Sequence, residues 1–380
     1  MKKIKMGMIG GGIGSFIGDV HRKAASIDGM IELVCGAFSS NPKTSIESGK
    51  NLGISENRCY ANYTEMIQKE KELPTEERMD FVAIVTPNHM HFPPAKLALQ
   101  SGFHVVCDKP VTLTLEEAIE LEQVITESGK LFALTHNYTG HPMVKQAKAM
   151  IENGDLGNIR KIQVQYLQGW LATSVEKTGQ KQAAWRIDPK KSGIGGALGD
   201  IGTHAENLTE YITGLKIKEI AADLGRFGEG RTLDDDGNML IRMENGAKGT
   251  ISISQIALGE ENNLAIKVYG EKGAIEWHQE QPNELITRWL NEPKKIYTPN
   301  GNGLYPQALE ISRIPAGHPE GYLEAFATIY KNFAKHLAAV NNHQSLEKID
   351  YPTIQDGIRG MKFIYAAVNS DQNNASWVQI

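Results

Sequence analysis

Three side chains suggest chemistry by their type and spacing. Asp200 and His204 fall in the run Gly195-Gly196-Ala197-Leu198-Gly199-Asp200-Ile201-Gly202-Thr203-His204, four residues apart, and on a helix that spacing puts both on one face. An imidazole with an ordinary pKa near ~6.5 can take the proton from an alcohol as a hydride leaves the same carbon. A neighbouring carboxylate would orient it. The third residue is Lys109, in Asp108-Lys109-Pro110. The proline fixes a turn that aims the lysine inward, where an ammonium stabilises developing alkoxide charge. Each has a plain reading when taken alone: Asp200 as a helix cap, His204 as a half-buried histidine, Lys109 as a solvated lysine. The glycine-rich approach to Asp200 and His204 favours the active reading.

A second constellation concerns a cofactor. Gly10-Gly11-Gly12-Ile13-Gly14-Ser15 follows the first apolar run and precedes a helical pattern. A dinucleotide needs glycine there, both for the strand-to-helix turn and to let the backbone approach a pyrophosphate seated on the helix N-terminus. Against G-x-G-x-x-G, Gly10 and Gly12 match, and Ser15 stands third. Ile13 and Gly14 complete the loop, although Gly14 also reads as part of a plain tight turn. The second run ends Phe38-Ser39-Ser40-Asn41 without the carboxylate that usually binds the ribose of NAD, and no arginine follows to hold a 2′-phosphate. Ser39 and Ser40 therefore leave NAD and NADP both open, with NAD ahead. Thr86-Pro87-Asn88-His89-Met90-His91 and Asp108-Lys109 end two later strands, on the side where open α/β sheets bind ligands. Thr86, Pro87, Asn88, His91, Asp108 and Lys109 join the cofactor-binding candidates.

The elements that must position these groups follow from periodicity. Met6 to Ile9, Ile31 to Phe38, Phe81 to Val85, Val105 to Cys107 and Leu131 to Thr135 are short apolar runs alternating with helical patterns, as in a parallel sheet covered on both faces. Ser15 to Ile27 is one such helix, and Thr114 with Glu117 opens another through a capping box. After about Asn137 the runs alternate with period two, as in Ile162, Val164 and Tyr166, which predicts a largely antiparallel sheet with one wetter face. Asn245-Gly246 marks a hairpin between Gly237 to Glu244 and Lys248 to Ile256.

The whole chain sets outer limits. At 380 residues it is long for one core, so two domains are expected, 1–136 and 137–380. A formal net charge of −5, with no Lys/Arg-rich tract, gives no reason to expect nucleic acid. No apolar run approaches the ~20 residues that span a bilayer, and the N-terminus lacks a signal-peptide core. Cys35, Cys59 and Cys107 show no metal-like spacing and read as buried thiols of a cytoplasmic protein. No metal site is expected.

Together the glycine loop, Asp108-Lys109-Pro110 and the Gly-Gly-x-Leu-x-Asp-x-Gly-x-His run resemble the glucose-fructose oxidoreductase/inositol dehydrogenase/rhizopine catabolism (Gfo/Idh/MocA) family. The resemblance extends to Tyr351-Pro352-Thr353-Ile354-Gln355-Asp356-Gly357. It implies an α/β chain: an N-terminal Rossmann dinucleotide-binding domain, and a C-terminal α+β domain with a large, mostly antiparallel open-faced sheet for substrate binding and oligomerisation. It also implies that Lys109, Asp200 and His204 fill the family's catalytic positions, with His204 as general base. Two departures stand out: Asp108 replaces the commoner glutamate, and Ser15 the third glycine.

The expected function is NAD(P)-dependent hydride transfer at a secondary hydroxyl carbon of a cyclic polyol or sugar, of the inositol or glucoside 3-dehydrogenase kind. The alternative is a dinucleotide-sensing regulator of the same fold without turnover, which would have no need of Lys109 and His204. Further substrate-binding candidates, beside Lys109, Asp200 and His204, are Tyr138, Arg186, Asp188 and His318. His21, His89 and His336 read as structural or solvated. A homo-oligomer, dimer or tetramer, is the expected assembly.

Overall fold

The computed structural model describes residues 3–178, 180–346 and 348–380. Strands and helices alternate at first: β1 (Ile4–Gly10), α1 (Phe16–Ile27), β2 (Ile31–Ala37), α2 (Pro42–Asn51), α3 (Tyr63–Glu72), β3 (Phe81–Val85), α4 (Phe92–Gln100), β4 (His104–Cys107), α5 (Leu115–Ser128) and β5 (Phe132–Leu134). The five strands form one parallel sheet in the order β2-β1-β3-β4-β5. Parallel sheets are covered on both faces, so their strands are apolar throughout, and Phe81–Val85 is buried at every position. The chain order reverses between β1 and β3, and Gly10 lies in register with Val85. That pairing sets the glycine loop beside Thr86 at the switch point where α/β sheets take ligands.

Later elements follow a different pattern: α6 (Pro142–Glu152), β6 (Ile159–Leu167), α7 (Lys181–Arg186), α8 (Pro189–Ser192), α9 (Thr203–Thr213), β7 (Ile217–Gly225), β8 (Asp236–Met243), β9 (Lys248–Ser254), β10 (Asn263–Gly270), β11 (Gly273–His278), β12 (Leu285–Trp289), β13 (Lys295–Tyr297), α10 (Pro306–Leu309), α11 (Tyr322–Asn341), α12 (Ile354–Gln372) and β14 (Val378–Gln379). Nine strands make one sheet, β13-β12-β11-β10-β6-β9-β8-β7-β14, antiparallel except for the β6–β9 pair. Along β8, Met239, Ile241 and Met243 face the core while Asn238 and Leu240 face out. The period-two pattern has its physical cause here, because helices cover one face. Gly246 closes the β8–β9 hairpin at φ +88, a conformation that suits glycine.

The chain divides into two compact units, one holding the residues through Asn137 with Phe326–Ile358, the other Tyr138–Ala325 with Arg359–Ile380. The sequence expectation ran the second domain unbroken from 137 to 380. Instead Phe326, Ile329, Tyr330, Phe333 and Leu337 on α11 are buried at helical spacing, and the Phe333 ring meets Phe81 of β3 with centroids 5.1 Å apart. Pro352 also accepts a hydrogen bond from the Leu134 N–H at the sheet edge. Among the described residues, no helix is long and apolar enough to cross a membrane.

Candidate active site

In the first unit, the loop after β1 is held from several sides. Gly10, Gly11 and Gly14 have φ of +82, +74 and +79. A Cβ on Gly12 would sit 2.7 Å from Ser48 Oγ and 2.8 Å from Phe38 O, so the close packing of this backbone demands glycine. Gly12 N donates to Phe38 O (3.1 Å), Ile13 N to Ser48 Oγ (3.2 Å), and Arg22 Nη1 to Gly11 O (2.5 Å). Ser15 is the N-cap of α1 and accepts from Gly18 N (3.2 Å). Sequence reasoning missed Gly18: its missing Cβ is what lets α1 lie against the Gly11 backbone, the close-packing task given to the third glycine of the fingerprint. The loop is thus a bare backbone surface at a helix N-terminus, and these residues fit a dinucleotide pyrophosphate.

At the end of β2, Ser39 Oγ accepts from Asn41 N (3.1 Å), and Asn41 caps α2 through Thr44 N (3.1 Å). Ser40 is exposed. After β3, Thr86 Oγ1 donates to Met90 O (2.8 Å), Pro87 precedes a short turn, and Asn88 is buried. His91 is buried too, with Nδ1 2.7 Å from Pro110 O and Nε2 2.8 Å from Thr86 O. Its ring straps together the loops after β3 and β4. Asp108 Oδ1 accepts from Lys109 N (2.9 Å) and Thr135 Oγ1 (2.8 Å). Behind it lies buried His21, whose Nε2 is 3.9 Å from Asp108 and whose Nδ1 is 2.7 Å from Tyr330 Oη. Burial pushes the His21 pKa down to about 4, against the opposing pull of Asp108. The half-buried Lys109 enters a cis peptide bond with Pro110.

The second unit holds Asp200 and His204, and they do not share one regular α-helix. Leu198–Gly202 is a π-helical turn carrying Asp200, and it runs directly into α9, which carries His204. Turns of this kind often mark functional sites. A residue the sequence reading overlooked sets the turn. Asp234, buried, accepts from Gly196 N (2.7 Å) and Leu198 N (2.6 Å), and its own carbonyl accepts from Ala197 N (2.8 Å). Burial lifts the Asp234 carboxyl to about 6 although those two N–H donors favour the anion.

Around Asp200 the structure gathers side chains from distant parts of the chain. Arg186 Nε and Gln255 Nε2 both donate to Asp200 Oδ2, at 3.1 and 2.8 Å. The Arg186 guanidinium lies over the rings of Trp185 (4.4 Å) and Trp170 (5.8 Å). Tyr138 is buried, its hydroxyl 2.6 Å from that of Tyr166, and both rings face His204. Asp188 instead caps α8, accepting from Lys190 N (3.0 Å), and this backbone donor holds its carboxyl below the ordinary range. His318 is exposed on a turn, with Nδ1 3.1 Å from Pro315 O. Asp188 and His318 therefore make local bonds, whereas Arg186 and Tyr138 join the neighbourhoods of Asp200 and His204.

Similar proteins share the family and the fold. Residues 4–136 match the oxidoreductase family model described as an NAD-binding Rossmann fold, and residues 144–276 match the Gfo/Idh/MocA C-terminal domain. An uncharacterised oxidoreductase of Bacillus subtilis (strain 168) is 34% identical over 383 residues, covering 100% of this chain and 97% of that protein. Levoglucosan dehydrogenase of Pseudarthrobacter phenanthrenivorans is 28% identical over 345 residues, covering 80% of this chain and 84% of that one. The crystal structure of an inositol dehydrogenase homologue from Azotobacter vinelandii, complexed with NADH and myo-inositol, matches with a TM-score of 0.93 at 34% identity, over 100% of this chain and 98% of that chain. A parallel sheet with a glycine-lined switch point, followed by a nine-stranded sheet and a π turn and helix that carry Asp200 and His204, thus has its explanation in descent: the chain belongs to the Gfo/Idh/MocA family of oxidoreductases, and its first domain is that family's NAD-binding Rossmann fold.

Proposed function

We propose that this oxidoreductase is a dehydrogenase acting on a ring CH–OH of a cyclic polyol or sugar, of the inositol, anhydrosugar or glucoside 3-dehydrogenase kind. The observation that carries the reading is the Asp200–His204 pair, placed by a π turn that Asp234 braces and flanked by aromatic rings, the Gln255 amide and the Arg186 guanidinium. The backbone of Gly10, Gly12, Ile13, Gly14 and Ser15 would hold the pyrophosphate, Ser39 and Ser40 the adenosine ribose, and Thr86, Pro87, Asn88, His91, Asp108 and Lys109 the nicotinamide end. When bound, the nicotinamide ring supplies the site that accepts or returns the hydride.

In this reading His204 takes the hydroxyl proton as the carbon is oxidised, and Asp200 orients the hydroxyl and the imidazole. Lys109 offers its ammonium to the oxygen as negative charge develops there. The known ligands of the relatives support the substrate class: levoglucosan is an anhydrosugar and myo-inositol a cyclitol. NAD is the favoured cofactor, with NADP also accepted. The outward face of the nine-stranded sheet, where Leu240 is 53% exposed, supports a homo-oligomer, and a cytoplasmic site of action goes with the three buried free cysteines.

The test is to screen the purified protein against inositols, monosaccharides, anhydrosugars and glucosides with NAD and NADP, following absorbance of the reduced nicotinamide. Turnover on a member of the panel supports the reading. Tight dinucleotide binding with no turnover anywhere in the panel would favour the regulatory alternative.

A further inference from the structure

The polar groups behind Asp200 form one chain in which the direction of each hydrogen bond follows from the donors and acceptors available. Trp170 Nε1 can only donate, and it lies 3.0 Å from Gln168 Oε1, which fixes the Gln168 amide. The NH₂ of Gln168 then donates to Asn262 Oδ1 (2.8 Å), which in turn leaves the Asn262 NH₂ to donate to Tyr138 Oη (3.3 Å). Tyr166 gives its one hydroxyl proton to the same Asn262 Oδ1 (2.8 Å), so Tyr138 must give its own to Tyr166. At the other end a carboxylate can only accept. The two hydrogens of Gln255 Nε2 therefore go to Asp200 Oδ2 (2.8 Å) and Gln168 Oε1 (3.4 Å).

Gln255 has no freedom to turn. It is 2% exposed, and its backbone is pinned on both sides, the main-chain N–H donating to Asp235 O (2.8 Å) and the main-chain carbonyl accepting from Leu171 N (2.9 Å). Flipping its amide would set an oxygen against a carboxylate and against Gln168 Oε1. With Arg186 Nε on the same oxygen, two donors from separate elements converge on Asp200 Oδ2. Each donor constrains the rotation of the carboxylate about Cβ–Cγ, and Gln255 supplies one of the two from a separate element.

We propose that Gln255 is a positioning residue for Asp200: its amide, locked by Gln168 and Trp170, holds the Asp200 carboxylate in the orientation the reaction uses. The inference rests on the reading that Asp200 serves a reacting hydroxyl. Gln255 itself touches no reacting atom in this account. It acts through Asp200, in the way that outer partners of a reactive group set its geometry.

The test compares Gln255→Leu, Gln255→Glu and Gln255→His in the full chain. Leucine removes the donor, glutamate keeps the shape but opposes Asp200 with like charge, and histidine offers a donor Nε2 at the same reach. For the first two variants kcat should fall by about 10²-fold, as for a small misplacement near reacting atoms, while KM and dinucleotide affinity, followed by NADH fluorescence, stay within about threefold. Gln255→His should recover most of the loss. A crystal structure of Gln255→Leu should show the Asp200 carboxylate rotated from its orientation here. Unchanged kcat with an unrotated carboxylate overturns the proposal, and so does a loss shared equally by kcat, dinucleotide affinity and thermal midpoint. If the wild type turns over no substrate in the panel, the functional reading fails separately, and the Asp200 rotation still decides the positioning.

Discussion

The ring of Tyr138 meets that of His204 edge to face, with centroids 4.8 Å apart and 69° between the planes. Because the Tyr138 hydroxyl is tied to Tyr166 and Asn262, this ring is a fixed wall, and it limits how the imidazole of His204 can turn. Tyr138 thus acts on His204 through packing, and its own proton is already directed to Tyr166.

Replacing His204 with Ala should therefore leave dinucleotide affinity intact and lower the oxidation rate by ~10²–10⁴-fold, the usual worth of general acid–base catalysis. Tyr138→Phe keeps the wall and should lose much less than Tyr138→Ala. Steady-state kinetics on a confirmed substrate, beside NADH titration, would check this. Near-wild-type turnover of His204→Ala would remove it as the base and move attention to Lys109.

Gly18 gives a second prediction. A methyl at this position would run into the backbone of Gly11, which cannot yield as a side-chain tip would. Gly18→Ala should lower stability by about 1–3 kcal/mol, the range for overpacking, and should weaken dinucleotide binding because the loop must shift. Gly14→Ala meets no neighbour within 4 Å but retains φ +79, so its cost is conformational, about 1–2 kcal/mol. Denaturant melts of both variants with and without NADH would separate a stability loss from a binding loss.

Much of this arrangement was legible in the residues, and the parts that were not share a cause. The five parallel strands, the Thr114 capping box and the Asn245-Gly246 hairpin are written in local periodicity and turn chemistry, and they stand where the sequence placed them to within about two residues. Asp188 followed by Pro189 is an N-cap pattern that the sequence reading left unused when it took Asp188 as a substrate ligand. Gln255 reaches Asp200 across 55 residues, and Asp234 reaches Gly196 across 38. A hydrogen bond between distant side chains leaves no period in the sequence. The same holds for α11, whose apolar stripe shows that it is buried but not which unit buries it.

Acid should weaken the first unit in a definite direction. His21, with its pKa pushed down to about 4 by burial, is neutral in the folded protein through the window in which an unfolded histidine, near 6.5, takes a proton. The unfolded state thus binds more protons between those values. Stability from this group is fully present above about pH 6.5 and is lost as pH falls toward 4, by as much as about 3 kcal/mol. His104, also lowered to about 4 by burial, adds to the same slope. Urea melts from pH 4.5 to 7 should show stability rising with pH, and His21→Asn, which keeps a polar partner for Tyr330, should flatten the rise. An equal slope in that variant would mean that His21 is not part of it.

The last prediction concerns the cofactor's adenosine end. Discrimination against NADP usually comes from a carboxylate at the end of the second strand, which binds the ribose hydroxyls and repels a 2′-phosphate. Here Ser39 stands in that place, and its Oγ already accepts from Asn41 N, holding the turn into α2. A serine can bond a hydroxyl or a phosphate oxygen, so the wild type should prefer NAD by less than about a thousandfold, or ~4 kcal/mol. Ser39→Asp keeps an acceptor for the Asn41 N–H, so the turn should survive, and it adds the missing charge. NADPH affinity should then fall by about ten- to a hundredfold, while NADH affinity holds or improves, with a salt-sensitive difference between the two. Fluorescence titrations of NADH and NADPH against both proteins decide it. A wild type that already rejects NADPH more than a thousandfold, or a Ser39→Asp protein that binds the two coenzymes as before, would place the selecting group elsewhere than at Ser39.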